Sequence, residues 1–525
     1  MKPPRIISSI GMLLFAVSSL LPIGCIISAP FLGNGPWSSH GYGLLLAERH
    51  WLLAIHSLSV ATGATFFALL LGVPLALLIT KTDLTGRSLF GTVWVLPMLI
   101  PPFIHAIAWS RLQELIGRMS GFRLYSVWGV IWVLGLAYYP FVTLLTMSGL
   151  RSSDRSLEEA ALLSRGKWQT LRRVSLPLTT PHILTGAIFV FVFAIMDFGV
   201  PDLLRVSVYP VEIFVQFSAF YNERAAAIFS FPLITVALFL MVLQRRLMGG
   251  RAYVSPGGGV SGSVTYSLGR GTIPGFAFCC LVFGLSIGVP VAMLFKGAGP
   301  WSNYVKVFET SLEQILFSFS LAAVAATVTV LLATLLSYLI LRSGGWQSTA
   351  LSIAVFIPFA MPPTSLGIGL IEIWNRPLLD MVYSSPLIMV MGYLSRYLPF
   401  AVVAIHSGLK QIDYHLEDAA SLAVAGWTRV MRKVVVPLLW PSILTGFFIV
   451  FVLALGELGT TLLVIPPGRE TIPIKIYNLM HYGAHQQVAA LCLIMTAAIM
   501  LCAGLLLVFL RLTRAARLRS TDARY

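Results

Sequence analysis

Two stretches of this chain carry the same order of residues. The first begins with Glu158-Glu159-Ala160-Ala161, and the second begins about 260 residues later with Glu417-Asp418-Ala419-Ala420. A tryptophan, a basic pair, a proline and a Leu-Thr-Gly sequence follow each start, at Trp168, Arg172-Arg173, Pro177 and Leu184-Thr185-Gly186, and at Trp427, Arg432-Lys433, Pro437 and Leu444-Thr445-Gly446. Because a polar, basic segment is repeated together with its trailing apolar segment, we predict two equivalent docking surfaces.

The composition excludes an ordinary soluble domain. Hydrophobic residues make up 57% of the chain and charged residues only 11%, with a mean hydropathy of +0.86, whereas the surface of a soluble domain needs far more charge. Apolar stretches long enough to cross the hydrocarbon core occur roughly twelve times. We predict an all-α integral membrane protein with spans near 6–28, 55–80, 88–110, 125–148, 182–205, 225–244, 273–295, 312–341, 347–373, 386–409, 442–465 and 487–510.

The net charge of +16 reflects membrane orientation rather than nucleic-acid binding. With the amino terminus inside, the segments on the cytoplasmic side hold about 24 of the 36 Lys and Arg residues. We therefore expect both termini and both repeated loops in the cytoplasm. The first span could instead be a cleaved signal peptide, but its apolar stretch is longer than a typical signal core.

The duplication extends over whole halves of the chain. Leu96-Pro97 with Pro101-Pro102 matches Ile357-Pro358 with Pro362-Pro363, and Asp197-Phe198-Gly199 matches Glu457-Leu458-Gly459. We predict two homologous six-helix halves, 1–244 and 272–525, related by a pseudo-two-fold axis along the membrane normal. Their loops lie at about 151–181 and 410–441, and the Gly/Ser-rich segment 245–271 is a cytoplasmic linker. Cutting this linker near Gly258 and co-expressing the pieces should preserve activity.

Each repeated loop predicts a short helix followed by a turn. The carboxylates suit the first turn of a helix, and the alanines leave a narrow surface that permits close docking. Gly166 and Gly426 follow, where the chain can turn without a side-chain clash. The alternative is an interfacial helix held to lipid headgroups by Arg and Lys, although lipid anchoring does not require this residue order twice.

At these residues the chain resembles the permeases of binding-protein-dependent ABC importers, whose EAA motif forms a coupling helix that sits in a cleft of the ATPase subunit. The resemblance covers nearly the whole chain and implies the type I importer permease fold in a bacterial inner membrane. It also implies two copies of a cytoplasmic ATPase and an extracytoplasmic substrate-binding protein as partners. The docking residues that it indicates are Glu159, Ala160, Ala161 and Gly166, and Asp418, Ala419, Ala420 and Gly426.

The fused two-half layout resembles the ferric-iron group within that family. Leu96-Pro97-Met98-Leu99-Ile100-Pro101-Pro102 and Asp197-Phe198-Gly199-Val200-Pro201 contribute to this likeness. We therefore predict ferric iron as the cargo, with thiamine or a phosphonate as alternatives, because importers of these compounds share much of the layout.

The sequence contains no phosphate-binding loop of the Gly-x-x-x-x-Gly-Lys-Ser/Thr type, and its cytoplasmic segments are too short for a nucleotide-binding domain. We therefore expect no enzymatic activity and no cofactor on this chain, with ATP and Mg²⁺ bound by the partner subunit. A secondary transporter driven by an ion gradient is the main rival. A membrane-embedded enzyme is a third class, but no nucleophile–base arrangement is discernible.

Two features within the spans are candidates for the transport pathway or its gate. Asp197 and Glu457 occupy equivalent positions, where a carboxylate either lines the pathway or makes a structural hydrogen bond. The proline pairs Pro101-Pro102 and Pro362-Pro363 should break or kink their helices, either as gates or as packing kinks. His481 and His485 have helical spacing for two metal ligands, but no third ligand is evident, and we predict no metal site.

Overall fold

The computed structural model describes residues 3–28, 48–117, 123–152, 155–248, 264–423 and 426–522. Within these ranges the chain is helical, and a single pairing of extended backbone joins Thr82 to Tyr266. The predicted all-α architecture is confirmed. Most of the 245–271 linker, including Gly258, lies outside the described residues.

Ten helices in the described part are long and apolar enough to cross a membrane, and two bent pairs of helices pass the same test. The number of crossings is therefore ten, or up to twelve if each bent pair is one crossing. In chain order the helices are α1 (Arg5–Ser28), α2 (Glu48–Lys81), the pair α3 (Arg87–Leu99) and α4 (Pro102–Ile116), α5 (Val127–Arg151), α6 (Gly166–Met196), α7 (Glu223–Gln244), α8 (Gly269–Ala298), α9 (Trp301–Arg342), the pair α10 (Gly345–Ala360) and α11 (Pro363–Trp374), α12 (Leu387–Leu409), α13 (Trp427–Leu455) and α14 (His485–Leu506).

Each proline pair breaks its predicted span. The axes of α3 and α4 differ by 93°, and those of α10 and α11 differ by 103°. Pro101 and Pro362 have the extended ψ angles 139° and 140°, because a residue that precedes a proline is pushed out of the helical region. The break predicted at these prolines is confirmed, and the predicted spans 88–110 and 347–373 are each a bent pair of helices.

Two further predicted spans end earlier than expected, at the intramembrane carboxylates. α6 ends at Met196 and α13 ends at Leu455, so the spans 182–205 and 442–465 are interrupted. A short helix follows each break, Gly199–Leu203 in one case and Thr461–Val464 in the other. The next helices, Tyr209–Ser218 and Ile472–His481, are also short.

Four π-helical turns in the described part are each followed two residues later by a proline. Proline lacks an N–H donor, and its ring collides with the carbonyl four residues earlier in an α-helix. A π turn widens the helix at that point, which lets the chain continue as a helix into the membrane. The turns are Ala16–Leu20, Leu171–Ser175, Gly284–Gly288 and Met431–Val435, and the prolines are Pro22, Pro177, Pro290 and Pro437.

The helices form two compact units. The first unit contains α2 to α8. Within it α2 packs along α5, where a Cβ at Gly72 would lie only 2.9 Å from the carbonyl oxygen of Tyr139. α8 joins the same unit, since the Tyr139 and Ser286 hydroxyls are hydrogen-bonded at 3.3 Å and the Phe90 ring stacks on Phe283.

The second unit contains α1 together with α9 to α14. α1 packs on α11, where a Cβ at Gly369 would lie 2.4 Å from the carbonyl oxygen of Pro22. The compact units therefore differ from the order of the repeat along the chain. α1 opens the first repeat but packs with the helices of the second, and α8 opens the second repeat but packs with those of the first.

Candidate functional site

The first repeated loop forms a helix over residues 155–165 that ends in a turn at Gly166. Gly166 has φ 70° and ψ 167°, outside the helical region, and the predicted turn is therefore present. Glu159, Ala160 and Gly166 are exposed, and Ala161 is half-buried. Leu163 is 93% exposed, so the helix presents an apolar side chain beside the predicted docking residues.

The acidic residue one position earlier points the other way. Glu158 is completely buried and forms a bidentate ion pair with Lys81 at the end of α2, with Nζ to Oε distances of 2.7 and 2.9 Å. The Ser175 hydroxyl donates a third hydrogen bond to Glu158 Oε1 at 2.8 Å. Because Lys81 is itself only 1% exposed, both charges depend on each other for compensation.

The second loop has the same form. Its helix, Tyr414–Ala423, precedes Gly426, which has φ 97° and ψ 135°. Ala419 and Gly426 are exposed, Asp418 and Ala420 are half-buried, and Leu422 is 91% exposed. The positions that face outward in the two loops therefore correspond.

Glu417 is the buried carboxylate of the second loop. The Arg342 guanidinium at the end of α9 forms a short ion pair with Glu417 Oε1, and the Tyr338 hydroxyl donates to Glu417 Oε2 at 3.2 Å. Sequence reasoning selected the outward Glu159 and Asp418 and missed Glu158 and Glu417. The available signal was a basic residue repeated at the ends of two equivalent spans, Lys81 at the end of α2 and Arg342 at the end of α9.

The tryptophans of the two loops have different surroundings. Trp168 is 72% exposed and lines a surface cleft of about 420 Å³ with Gln169, Arg172 and Arg173. Trp427 instead packs edge-on against Tyr338, with ring centroids 5.7 Å apart. The first loop therefore exposes a basic, partly aromatic surface. The tryptophan of the second loop instead packs on a tyrosine of its own unit.

The intramembrane carboxylates cap the breaks after α6 and α13. Asp197 accepts hydrogen bonds from the Tyr138 hydroxyl at 3.0 Å and from the Val200 N–H at 2.9 Å. Glu457 accepts a short hydrogen bond from the Tyr397 hydroxyl and one from the Thr460 N–H at 2.8 Å. These are the structural hydrogen bonds that one interpretation of the sequence predicted.

Glu457 also has a charged partner on α12, at a position where the first repeat has an apolar residue. Arg396 Nε lies 3.1 Å from Glu457 Oε2, whereas Ala137 occupies the corresponding position before Tyr138. The second unit therefore holds a compensated charge pair within its helices.

In the second unit, the break between α10 and α11 at the proline pair lies next to the break after α13 at Glu457. The Thr460 hydroxyl donates to the Pro363 carbonyl oxygen at 3.1 Å, and Gly459 lies against the Pro363 ring. In the first unit the short helix Gly199–Leu203 packs on α4, which begins at Pro102. The irregular backbone at the two breaks is thus packed against protein, as membrane burial requires.

The two histidines with helical spacing are both at the surface. His481 Nδ1 lies 2.9 Å from the carbonyl oxygen of Tyr477, and both His481 and His485 are exposed. No cluster of three or more His, Cys, Asp or Glu side chains suited to a metal ion occurs among the residues that the structure describes.

The two exposed loops, each anchored through a buried glutamate to a membrane helix, are a duplicated element of a multi-pass membrane protein. The chain belongs to the family described as binding-protein-dependent transport system inner membrane component, whose model matches residues 64–249 and again residues 329–514. This double match confirms the prediction of an ABC importer permease with two repeated halves.

Curated relatives match over most of the chain or over one part of it. The Fe(3+)-transport system permease protein FbpB 2 of Haemophilus influenzae is 24% identical over 460 residues, which cover 85% of this chain and 87% of that protein. The ferric transport system permease protein FbpB of Actinobacillus pleuropneumoniae is 24% identical over 446 residues, 78% of this chain and 64% of that protein. YvgM of Bacillus subtilis, provisionally assigned to molybdenum transport, is 31% identical over 32% of this chain and 80% of its own length.

Proposed function

We propose that this chain is the translocation subunit of an ATP-driven importer of ferric iron in a bacterial inner membrane. The observation that carries the proposal is the exposed helix with an outward Glu-Ala-Ala or Asp-Ala-Ala face in each loop, in a chain whose two halves both match the permease family. Ferric iron is favoured over the other cargoes because the relative named for it aligns over 87% of its length. The relatives provisionally assigned to 2-aminoethylphosphonate transport align over only 29% of this chain.

The partners in this proposal are two copies of a cytoplasmic ATPase and an extracytoplasmic binding protein. Each ATPase copy receives one loop through the outward residues, which are Glu159, Ala160, Ala161 and Gly166 in the first loop and Asp418, Ala419, Ala420 and Gly426 in the second. ATP and Mg²⁺ stay on the ATPase. The loops and both termini lie in the cytoplasm, as the distribution of basic residues favours.

In the proposed cycle, the binding protein delivers the cargo from outside, and ATP draws the two ATPase subunits together. The loops transmit this movement to α2 and α6 in the first unit and to α9 and α13 in the second. We propose that the pathway opens at the helix breaks, which bring Asp197, Glu457 and the proline pairs Pro101-Pro102 and Pro362-Pro363 within reach of a passing cargo.

The docking surface is tested most directly at its exposed leucines. Leu163→Asp and Leu422→Asp should each reduce capture of the ATPase by the purified permease about tenfold or more, because a charge replaces an apolar contact at the centre of the interface. Leu378→Asp is the matched control, since Leu378 is 97% exposed and belongs to neither loop.

The activity is tested in proteoliposomes that contain the captured complex. Uptake of radiolabelled ferric iron should require ATP and the iron-loaded binding protein, and neither molybdate nor 2-aminoethylphosphonate should compete. Saturable uptake by the permease alone, driven by an ion gradient without ATP, would instead identify a secondary transporter. Competition by either anion would overturn the choice of cargo and leave the importer mechanism in place.

A further inference from the structure

The buried glutamates Glu158 and Glu417 have the same kind of cationic partner but different hydroxyl partners. Lys81 and Arg342 occupy equivalent positions at the ends of α2 and α9. The hydroxyl comes from Ser175 in the first unit and from Tyr338 in the second. Both carboxylates are thus compensated by one charge and one hydroxyl, as a buried ion requires.

The two hydroxyls lie on opposite sides of their loops. Ser175 belongs to the π turn of α6, which follows the first loop helix in the chain, whereas Tyr338 is on α9, which comes before the second loop helix. At the position equivalent to each hydroxyl-bearing residue, the other repeat has an apolar residue. Val435 stands two residues before Pro437, as Ser175 does before Pro177, and Leu77 stands four residues before Lys81, as Tyr338 does before Arg342.

This exchange changes what each loop is fastened to. Glu158 joins the first loop to α2 through Lys81 and to α6 through Ser175. Among the described residues, the partners of Glu417 that are hydrogen-bonded to its carboxylate both lie on α9. Val435 has no hydroxyl that could replace them from α13.

We infer that Glu158 and Glu417 are positioning residues that fasten the coupling loops to the membrane helices, with the Glu158 carboxylate hydrogen-bonded to both α2 and α6 and the Glu417 carboxylate hydrogen-bonded to α9. The inference rests on the proposed function, because the loops must transmit movement from an ATPase. A displacement of the first loop acts directly on both α2 and α6. A displacement of the second loop acts through the Glu417 carboxylate on α9, and it reaches α13 through packing, such as that of Trp427 on Tyr338, rather than through a hydrogen bond of that carboxylate.

The hydrogen-bonding geometry explains why the fastening is rigid. A carboxylate that accepts two bonds from one ammonium and a third from a hydroxyl has its side-chain torsions held, and charge-assisted bonds in a buried setting are the strong class of hydrogen bond. The neighbouring Glu159 is exposed. Of the two neighbouring acids in the first loop, Glu159 therefore faces outward to the proposed partner, and Glu158 faces the membrane helices.

The inference is tested in the assembled complex of permease, ATPase and binding protein, with the ratio of cargo transported to ATP hydrolysed as the readout. Glu158→Gln and Glu417→Gln should each lower this ratio about tenfold, because a charged hydrogen-bonded anchor is lost. Lys81→Arg should retain most of the coupling, since arginine supplies the same charge. Glu159→Gln is the neighbouring control and should alter ATPase capture rather than the ratio.

The difference between the two loops is tested with milder substitutions. These also test the positioning role if a glutamine variant fails to assemble. Ser175→Ala should lower the coupling ratio about threefold to tenfold through loss of one hydrogen bond to a charged group. Thr179→Val is its control, since the buried Thr179 hydroxyl bonds only to a backbone carbonyl of its own helix in the described contacts. The double variant Leu77→Tyr with Ser175→Val copies the arrangement of the second unit and should restore the ratio relative to Ser175→Val alone.

The outcomes separate this inference from the function on which it rests. If the unaltered permease captures no ATPase, the proposed function fails. If it does, and Ser175→Ala keeps the coupling ratio within about twofold of Thr179→Val, the fastening of the first loop to α6 is wrong. An assembled Glu158→Gln complex with an unchanged ratio would overturn the positioning role altogether.

Discussion

The glycine that closes each loop helix adopts a backbone conformation that other residues rarely adopt. Gly166 has φ 70° and Gly426 has φ 97°. A Cβ at either position would meet no atom within 4 Å. Any cost of a substitution there arises from the backbone alone, at roughly 1–3 kcal/mol for a side chain held in a sparsely populated region.

Gly166→Ala and Gly426→Ala should therefore shift the loop helices without disturbing membrane insertion. We expect normal amounts of folded permease in the membrane and transport reduced about tenfold, as that strain is relieved by moving the docking face. Gly468→Ala is the matched control, because Gly468 also has a positive φ of 74° and open surroundings but belongs to neither loop. Equal transport by all three variants would show that the turn is not needed for docking.

The direction of a side chain within each loop was beyond sequence reasoning. Glu158 and Glu159 are identical residues in one polar helix, and only the position of Lys81 decides which of them is buried. The outward position of Glu159 and Ala160 agrees with the predicted docking face, whose role stays a prediction until an ATPase is bound.

At the scale of elements, the end of the linker is hydrogen-bonded to the end of α2, whose Lys81 also holds the first loop. The Tyr266 N–H donates to the Lys81 carbonyl at 2.7 Å, and the Asp83 N–H donates to the Tyr266 carbonyl at 3.2 Å. The Leu268 N–H donates to Asp83 Oδ1 at 2.8 Å, and this bond lowers the pKa of the Asp83 carboxyl. Lys81 therefore joins both the loop and the linker.

Two changes to the linker should have opposite results. A chain cut near Gly258 and co-expressed as two pieces should keep transport, since the cut lies outside the paired segment. Tyr266→Pro should impair it, because proline removes the N–H that bonds to Lys81, whereas Tyr266→Phe keeps that bond and serves as the control. The measurement is ATP-dependent uptake by equal amounts of assembled complex, and full uptake by Tyr266→Pro would show that the pairing is dispensable.

At the scale of the whole molecule, the first helix completes a unit made otherwise of the last helices. α1 approaches α11 so closely that Gly369 has no room for a side chain beyond hydrogen. Such backbone contacts at small residues are a principal source of helix association in a membrane, where lipid is as apolar as the side chains.

Gly369→Ala should therefore destabilise the second unit by about 1–3 kcal/mol, the usual cost of overpacking. We expect a lower midpoint of thermal unfolding in detergent for this variant. Gly504→Ala is the control, since Gly504 lies in α14 with open space at its Cβ. An unchanged midpoint would mean that α1 contributes little to the unit.

The sequence by itself determined the helical membrane architecture, the two repeated loops and the breaks at the proline pairs. These features depend on apolar length, on residue order and on the missing N–H of proline, all of which are local properties. Tertiary structure alone decided that α1 packs with α9 to α14 and α8 with α2 to α7, that Glu158 and Glu417 turn inward, and that Arg396 pairs with Glu457. These outcomes depend on contacts between residues far apart in the chain. The partner of a buried charge is decided by the packing of the helices. A sequence repeat shows which segments are equivalent, but it does not show which of them pack together.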